Sequence, residues 1–544
     1  MTAPRRPGPA SLPAAAAVRP ATSDRRSAAV AGIVAVGAAL AIGELAAGVI
    51  AGVPPPLLAI AQVIVDYQPP GAKDVVVGLF GTNDKLALEV FVLLVALAVG
   101  AGLGIQAARR PGLATAVIGG FAAAGFLASL RDPTAVAILA AGVAAVETMV
   151  GSWALGWILA AAGGPVTAAP GRATSTAKAS ARGGMPDWTR RRLLVRGSAL
   201  AVGSIAAGAA GRWLLERSRA PAPAGSLPQP GTPATLPAGA DISTADLASA
   251  GLSPVVVSND QFYRIDTALL PPSIDVATWS LRIHGLVDRE TKLTYDQLIS
   301  LPIIEQYVTI ACVSNEVGGD LVGNALWRGV PLRTVLDMAG VQPAATQLVG
   351  RSVDGFTVGM PTAWVEDETR VPMIAIGMNG RPLPQLHGYP ARLIVPGLYG
   401  YVSATKWLSE LELTTWDAFN AYWVNLGWAK EAPILTQSRI DIPRGGAQLQ
   451  AGRIPIAGVA WAPDRGVSKV EVSIDQGDWR PVTLSAPISD ATWVQWLYPW
   501  DATAGTHSIE VRATDRTGQL QADEITTPFP DGARGHHRIA VRVA

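Results

Sequence analysis

Long apolar stretches set the N-terminal part of the chain apart from the remainder. Four runs, at residues 27–53, 86–108, 112–130 and 134–162, consist mainly of small and aliphatic side chains, and a shorter fifth run covers residues 193–215. About 20 consecutive apolar residues suffice for a helix to cross the hydrocarbon core of a bilayer. The pattern therefore predicts an all-α membrane bundle of about five spans.

Prolines and basic residues indicate how these spans connect. Residues 54–84 are partly apolar but contain five prolines, which predicts an external loop or a re-entrant segment. Basic residues lie in the N-terminal tail, at Arg109 and Arg110, and again between residues 172 and 196, whereas the alternate connections are poor in them. Because basic loops stay in the cytoplasm, the N-terminus is predicted inside and, after five spans, the C-terminal part outside.

A different pattern begins after the fifth run. Residues 217–240 are rich in Pro, Ala, Gly and Ser, which is typical of a flexible linker. From residue 241 to residue 430, short β-type runs alternate with helical stretches such as Pro331–Ala339. From residue 431 onward, turns separate short apolar segments, which predicts an all-β sandwich. The clearest predicted strands are residues 454–460, 469–474, 493–497 and 507–513. His536 and His537, near the end of this part, are expected to be solvated.

Composition removes several classes of function. The formal net charge is +1, so no global electrostatic field favours nucleic acid as a partner. The one cysteine, Cys312, cannot form a disulfide within the chain. Residues 1–283 contain neither His nor Cys, which excludes a haem held by two histidines, or an iron–sulfur cluster, in the membrane part.

Three carboxyl side chains interrupt the apolar runs, namely Glu44, Glu89 and Glu147. A carboxyl at membrane depth is costly and often functional, but a neutral acid can also hydrogen-bond between helices. We favour the second interpretation. A bundle that acts as a small transporter with an attached sensor is disfavoured, because the Ala-rich spans carry few polar residues.

Cys312 stands at the end of a β-type run and has two interpretations. A free cysteine is commonly a small buried core residue, and a thiolate is also a soft metal ligand. The surrounding sequence favours the metal ligand. Residues 312–332 read CVSNEVGGDLVGNALWRGVPL, and residues 378–407 read MNGRPLPQLHGYPARLIVPGLYGYVSATKW.

Both blocks resemble the sulfite oxidase family of molybdenum-cofactor oxidoreductases. The resemblance implies that Cys312 is the sole protein ligand to molybdenum, in a metal site completed by the dithiolene sulfurs of the pterin and by oxo groups. A phosphate group pairs well with Arg, Lys and hydroxyl donors, whereas His387 alone would equally suit a satisfied turn histidine. The residues implied to bind the cofactor in these blocks are Cys312, Asn315, His387, Arg392, Thr405 and Lys406.

Further site residues follow from the same resemblance. Tyr263 and Arg264 occupy the family's early loop, where an aromatic residue and an arginine reach the cofactor. The oxidases have Asn-His after this arginine, whereas residues 265–266 of this chain are Ile and Asp. Asp354 falls at another pterin contact. Tyr422 stands about where the family places a tyrosine near the metal, with interdomain packing as the alternative.

One departure from the family concerns the substrate. Sulfite oxidases carry an arginine five residues after the ligand cysteine, where it helps to bind the sulfite dianion. This chain has Val317 there, next to the anionic Glu316. An anionic substrate thereby loses a natural partner. The expected reaction is a two-electron oxo transfer on a small substrate, sulfite-oxidase-like but not optimised for sulfite, with Cys312, Arg264 and Tyr422 as the catalytic candidates.

The segment TRRRLLVR, residues 189–196, resembles a twin-arginine export signal. The alternative is that these charges only orient the fifth helix. That export route carries folded proteins, which suits a domain that receives its cofactor in the cytoplasm. We therefore favour export.

The sequence thus predicts a multidomain protein in the cytoplasmic membrane, with an extracytoplasmic catalytic domain and an unidentified electron carrier as partner. The all-α membrane bundle is followed by an α+β sulfite-oxidase-type molybdopterin domain. An all-β immunoglobulin-like sandwich comes last, of the type through which the family forms homodimers. The rival hypothesis is a cofactor-free, membrane-anchored binding module, which the retained cofactor-binding residues disfavour.

The predicted domains are a disordered cytoplasmic tail (1–26), a transmembrane region (27–162), a basic cytoplasmic loop (163–192), a fifth span (193–215), a linker (216–240), the molybdopterin-binding domain (241–430) and the dimerisation-type domain (431–544).

Overall fold

The computed structural model describes residues 25–68, 79, 84–107, 110–161, 187–218, 227–367 and 369–544. The chain divides into two compact units, Met1–Glu216 and Arg217–Ala544. Most of the predicted cytoplasmic tail and of the predicted basic loop lies outside the described residues.

The N-terminal unit is helical. Within the described residues, five helices are long and apolar enough to cross a membrane. The segment expected to be an external loop or a re-entrant segment contains a helix of 11 residues that begins at Pro56. Proline is tolerated at the first helical position because its missing N–H has no partner there. The helices of this unit are α1 (Arg25–Val49), α2 (Pro56–Asp66), α3 (Asp84–Ala107), α4 (Pro111–Ser129), α5 (Ala137–Ala161) and α6 (Asp187–Ser218).

Small residues bring α1 and α3 into close contact. A Cβ atom on Gly32 would lie 1.9 Å from the carbonyl oxygen of Gly100, and one on Gly104 would lie 1.8 Å from the carbonyl oxygen of Ala28. Only glycine permits this approach, which is the usual way that membrane helices gain van der Waals contact.

Two of the three carboxyl groups in the apolar helices are paired. Arg212 donates to Glu89 at 2.6 Å, and its guanidinium lies 3.9 Å from Glu44. Glu44 also accepts a hydrogen bond of 3.3 Å from the backbone N–H of Leu57. Glu147 Oε1 is buried and has no hydrogen-bond partner among the described residues. These contacts favour helix packing as the role of Glu44 and Glu89.

The C-terminal unit begins with two sheets that share one apolar core. In the first, β1 and β10 are parallel and the other neighbours are antiparallel, in the order β2-β1-β10-β5-β6. The second is antiparallel, in the order β3-β4-β7-β8, with β9 also paired to β7. The strands are β1 (Ser280–Gly285), β2 (Thr291–Thr294), β3 (Ile304–Ala311), β4 (Val322–Pro331), β5 (Gln347–Ser352), β6 (Thr357–Pro361), β7 (Met373–Met378), β8 (Arg381–Pro382), β9 (Arg392–Ile394) and β10 (Leu408–Thr414).

Short helices connect these strands. The predicted helix at Pro331–Ala339 is confirmed over Leu332–Ala339, where four buried apolar side chains face the core. The helices of this unit are α7 (Ala245–Ala250), α8 (Tyr295–Ile299), α9 (Leu332–Ala339), α10 (Ala363–Glu366) and α11 (Gly400–Ser403), with 3₁₀ turns at Gln385–His387 and Val424–Leu426.

The last part of the chain consists of β-strands, as predicted. Its four clearest predicted strands are all present, and two sheets bury a common core that includes Ile456, Val472, Trp496 and Ile509. The sheet orders are β11-β13-β17-β16 and β12-β19-β18-β14-β15. The strands are β11 (Gln437–Ile442), β12 (Gln448–Leu449), β13 (Gly452–Trp461), β14 (Val467–Ile474), β15 (Arg480–Pro481), β16 (Thr483–Leu484), β17 (Val494–Ala502), β18 (Gly505–Asp515) and β19 (His537–Val543).

A buried polar network joins this β part to the β3–β4 hairpin. The Thr309 hydroxyl accepts from the backbone N–H of Trp493 at 2.8 Å and lies 3.2 Å from Asn324 Oδ1. The Asn324 amide and the Trp493 indole both donate to the carbonyl oxygen of Val255. Each of these buried polar groups is the hydrogen-bond partner of another that would otherwise have none. The network therefore fixes the hairpin against the β part.

Residues 227–240, which were assigned to the flexible linker, also contact this unit. Gly231 donates its backbone N–H to Ile303, and the carbonyl oxygen of Pro228 accepts from Arg328. This stretch is therefore held along the β3–β4 hairpin.

Replacement of Thr309 by valine tests the buried network. Thr309→Val leaves the buried N–H of Trp493 without an acceptor, which costs about 1–3 kcal/mol of folding free energy. We expect the apparent Tm of the detergent-solubilised chain to fall by roughly 2–6 °C, measured by tryptophan fluorescence. Thr506→Val, at an exposed position of β18, is the control and should change the Tm little. Equal effects of both substitutions would contradict the assignment.

Candidate functional site

Cys312 lies in the loop between β3 and β4, and this loop is closed by hydrogen bonds. The Cys312 backbone N–H donates to the carbonyl oxygen of Leu321 at 2.9 Å. The Asn315 side chain accepts from the backbone N–H of Leu321 at 2.8 Å, and its backbone N–H donates to the carbonyl oxygen of Cys312 at 3.1 Å. Cys312 itself is 9% exposed. The structure thus places Asn315, a predicted cofactor contact, in a bond that shapes the ligand loop.

Side chains from the β part hold the outer side of the same loop. Arg439 on β11 donates to the carbonyl oxygen of Gly319 at 2.7 Å. The His537 ring lies against Gly318, where a Cβ atom would be 2.4 Å from the ring. His536 and His537 were expected to be solvated, but His536 is 6% exposed and pairs with Glu510. This expectation was wrong because both side chains lie at contacts between distant parts of the chain.

His387 is presented by the 3₁₀ turn Gln385–His387, which ends at Gly388 with φ +113°. The His387 Nε2 atom lies 2.8 Å from the carbonyl oxygen of Asn259. Burial, together with the nearby Arg392 cation, lowers the pKa of His387 to about 4. The ring is therefore neutral near pH 7. Because a carbonyl oxygen only accepts, Nε2 carries the proton and Nδ1 is left as an acceptor.

Three buried polar atoms at this place have no hydrogen-bond partner among the described residues. They are His387 Nδ1, Arg392 Nε and Thr405 Oγ1, and their side chains are almost completely buried. A buried polar group without a partner is costly, and native proteins leave few of them. All three belong to residues predicted to bind the cofactor. The donors and the acceptor therefore fit a polar, anionic ligand such as a phosphorylated pterin.

A charged cluster lies beside these atoms. Lys406 forms an ion pair with Asp266, and Arg264 Nε lies 3.3 Å from the other carboxylate oxygen of Asp266. Burial lowers the pKa of Lys406 to about 8 and that of Arg392 to about 10. The family resemblance identified the cations Arg264, Arg392 and Lys406 as site residues but did not identify Asp266. In the sequence, Asp266 was distinguished only by its difference from the residue that the family has at this position.

Aromatic rings form a wall beside His387. Tyr263 stacks on Phe262, whose ring meets Trp327 and His387 edge-on at 5.8 Å. Burial raises the pKa of the Tyr263 phenol, and the nearby Cys312 raises it further, so Tyr263 remains a neutral hydrogen-bond donor. Phe262 and Trp327 were not predicted as site residues, because their role depends on contacts between distant segments.

Tyr399 is a further residue near Cys312 that the sequence did not identify. It follows the Pro396-Gly397 turn in the predicted pterin block. Burial raises its pKa to about 12, the hydrogen bond from Leu435 opposes this shift, and the nearby Cys312 adds to it. Two phenols therefore lie near the cysteine.

Asp354 and Tyr422 occupy other surroundings. Asp354 accepts from the backbone N–H of Phe356 at 3.1 Å and so caps the turn between β5 and β6. The preceding residue bonds to the carbonyl oxygen of Trp407, next to Lys406. Tyr422 packs against Phe356 and Trp423 at ring distances of 5.8 and 5.2 Å. Both partner rings lie within residues 241–430, so these contacts are packing inside the predicted molybdopterin-binding domain.

The structure gathers most of the predicted residues in one place and offers no competing metal site. Among the described parts of the chain, no group of three or more His, Cys, Asp or Glu side chains is placed to hold a metal ion. The residues brought together are Tyr263, Arg264, Cys312, His387, Arg392, Thr405 and Lys406.

Comparison with known proteins agrees with this site. Residues 268–423 match the family described as oxidoreductase molybdopterin binding domain. Nitrate reductase (NADH) 1 of Oryza sativa subsp. japonica is 26% identical over 318 residues, which cover 47% of this chain and 34% of that protein. Mitochondrial sulfite oxidase of Homo sapiens is 27% identical over 304 residues, which cover 47% of this chain and 55% of that protein.

A third relative matches over nearly its whole length. Sulfite oxidase of Arabidopsis thaliana is 25% identical over 360 residues, which cover 54% of this chain and 90% of that protein. The chain spans about half or less of the other two relatives. The family match over residues 268–423 includes Cys312, His387, Arg392, Thr405 and Lys406. Tyr263 and Arg264 lie before it. Residues 268–423 therefore form an oxidoreductase molybdopterin binding domain, and the chain is similar to sulfite oxidases and a nitrate reductase over about half of its length.

Proposed function

We propose that the chain is a membrane-anchored molybdenum-cofactor oxidoreductase that carries out a two-electron oxo transfer on a small substrate outside the cytoplasmic membrane. The observation that carries the proposal is the set of three buried, unpartnered polar atoms on His387, Arg392 and Thr405. A degenerate, cofactor-free binding module would have no need to bury them, since each costs about 1–3 kcal/mol without a partner.

The chain's own residues divide the work of holding the cofactor. Cys312 would hold molybdenum through its thiolate, in a loop fixed by Asn315. His387 would accept a hydrogen bond from a pterin N–H at Nδ1, because its other nitrogen is already used. Arg392 and Lys406 would bind the phosphate, with the Thr405 hydroxyl as a further donor. When bound, the cofactor supplies a metal centre that exchanges two electrons and one oxygen atom with the substrate.

The remaining predicted residues would serve the substrate side. Tyr263 stays protonated beside Cys312 and would donate a hydrogen bond toward an oxygen at the metal. The Arg264 side chain is 40% exposed, and its Nε lies 3.3 Å from Asp266. Its guanidinium would attract an anionic group. Tyr422 would add a phenol at the end of its aromatic cluster, and Asp354 would accept from the pterin edge.

The helices and the basic residues support the proposed placement in the cell. Five helices of sufficient length, together with the alternation of basic connections, support an extracytoplasmic C-terminal unit. An electron carrier outside the membrane would exchange single electrons with the site. The two-sheet β part supports an immunoglobulin-like domain, residues 431–544, through which two chains would form a homodimer.

Metal content tests the proposal directly. We expect about one molybdenum per chain when the protein is made in a host that synthesises the cofactor, measured by mass spectrometry of the metal. Cys312→Ser should reduce turnover at least ~100-fold, because loss of even an outer partner of a metal ligand costs about 10–100-fold. Ser314→Ala, in the same loop, is the control.

Two results would count against this assignment. Wild-type protein without molybdenum would favour the cofactor-free binding module. Full activity and stoichiometric metal in Cys312→Ser would remove Cys312 as the ligand.

Replacement of the arginine triplet tests export. Arg190, Arg191 and Arg192 changed together to lysine keep the charge that orients the fifth helix but lose the twin-arginine signal. We expect the catalytic unit to remain in the cytoplasm, where protease reaches it only in permeabilised spheroplasts. Arg172→Lys with Arg182→Lys is the charge-matched control and should export normally. Normal export of the triple variant would leave these arginines as orientation charges alone.

Substrate preference tests the departure at Val317. Sulfite is largely a dianion near pH 8, and a lost charge-assisted hydrogen bond of ~1.5–3 kcal/mol lowers kcat/KM by roughly 10- to 150-fold. We therefore expect sulfite to be a poor substrate beside neutral sulfoxides, assayed with artificial electron mediators. Val317→Arg should raise sulfite kcat/KM at unchanged molybdenum content, whereas Val317→Leu should not. No gain from the arginine would show that the site does not depend on this position.

A further inference from the structure

Asp266 is a buried carboxylate among the cations that would receive the phosphate of the cofactor. Its side chain is 3% exposed. One of its oxygens pairs with Lys406 Nζ, and the other lies 3.3 Å from Arg264 Nε. Lys406 Nζ also donates to the carbonyl oxygen of Ile265 at 3.3 Å. An anion at this place repels an anionic ligand, so its presence calls for a compensating benefit.

The benefit lies in the cost of burying an ammonium group. The Lys406 side chain is 11% exposed, and transfer of a charged amine away from water favours loss of its proton. The nearby Arg392 cation acts in the same direction, whereas Asp266 is the largest influence that favours the charged amine. Even with this carboxylate, the pKa of Lys406 falls to about 8.

We propose that Asp266 is a positioning residue that keeps Lys406 protonated and aimed at the anionic end of the cofactor. The inference rests on the proposed function for its cofactor but not for the titration of Lys406. Asp266 therefore has two opposing effects on an anionic ligand. It repels the ligand directly at every pH at which the carboxylate is charged, and it preserves the Lys406 cation at those pH values where the amine would otherwise be neutral.

The pH decides which effect prevails. The groups that face Lys406 are Asp266, Arg264, Arg392 and His387, and the ring of Trp407 lies 5.7 Å from its Nζ. The pKa of His387 is lowered to about 4 and that of Arg392 to about 10, each chiefly by burial. Neither changes charge between about pH 6 and pH 9. Among these protein groups, Lys406 is thus the one whose charge changes in this pH interval.

Asp266→Asn should therefore change cofactor retention in opposite directions at low and at high pH. In Asp266→Asn, the pKa of Lys406 falls further because its main counter-charge is gone. Near pH 6 the amine is still protonated and the repulsion has been removed, so the variant should hold the cofactor as long as the wild type or longer. Near pH 8.5 the amine is neutral, so each unit of lowered pKa weakens retention by up to ~10-fold.

Cofactor retention by the full-length holoprotein provides the first measurement. Loaded protein is diluted and incubated at about pH 6 and pH 8.5, then gel-filtered, and the retained molybdenum and oxidised pterin fluorescence are followed with time. We expect Asp266→Asn to lose cofactor faster than the wild type only at the higher pH, by up to ~10-fold for each unit by which the pKa of Lys406 is lowered. Asp260→Asn, an exposed carboxylate of the same loop, is the matched control. An equal change at both pH values would overturn the proposal, because a structural defect has no such pH dependence.

Two further variants separate the opposing effects. In Lys406→Met there is no amine to keep charged, so adding Asp266→Asn should prolong retention at both pH values. A double variant that still shows faster loss only at the higher pH would overturn the role assigned to Lys406.

The second measurement needs no cofactor. The full chain is made in a host that lacks the cofactor, and acylation of Lys406 by acetic anhydride is followed against pH by mass spectrometry. Asp266→Asn should shift this titration to lower pH by about one unit or more, and an unshifted titration would overturn the proposal. A wild-type chain without molybdenum would overturn the proposed function alone, because the Lys406 titration is measured without it.

Discussion

The C-terminal unit depends on one constraint. It buries polar groups whose hydrogen-bond partners lie outside the chain. His387, Arg392 and Thr405 each place one unpartnered polar atom in the interior, and Lys406 is kept as a cation there by a single carboxylate. Such atoms disfavour folding until a ligand satisfies them. A ligand that binds only the folded state then stabilises that state in proportion to its affinity. The core around the β3–β4 hairpin has to be stable enough to tolerate this cost without the ligand.

The site combines two kinds of surroundings that meet at His387. On one side lie the cations and Asp266, which suit a phosphate. On the other side lie Cys312, Tyr263 and the aromatic wall, which lower the local polarity. Low polarity strengthens every electrostatic contact near Cys312. One neutral imidazole, with its proton fixed by Asn259, links the two regions.

Local patterns predicted most of the elements, while contacts between distant segments were predicted only where the family resemblance supplied them. The long apolar helices, α9 and the strands β13, β14, β17 and β18 follow from periodicity and turn residues. The α2 helix was missed, because proline at a helix start resembles proline in a loop. Asp266 and Tyr399 were missed, because their importance comes from Lys406 and Cys312, far away in sequence. His536 and His537 were misjudged for the same reason.

The support of the Cys312 loop by Arg439 and His537 has a consequence for biosynthesis. His537 belongs to β19, far behind Cys312 in the sequence. The ribosome therefore translates residues 313–537 before the Cys312 loop can acquire this support. The loop can reach its final packing only after β19 has paired, late in the folding of the C-terminal unit.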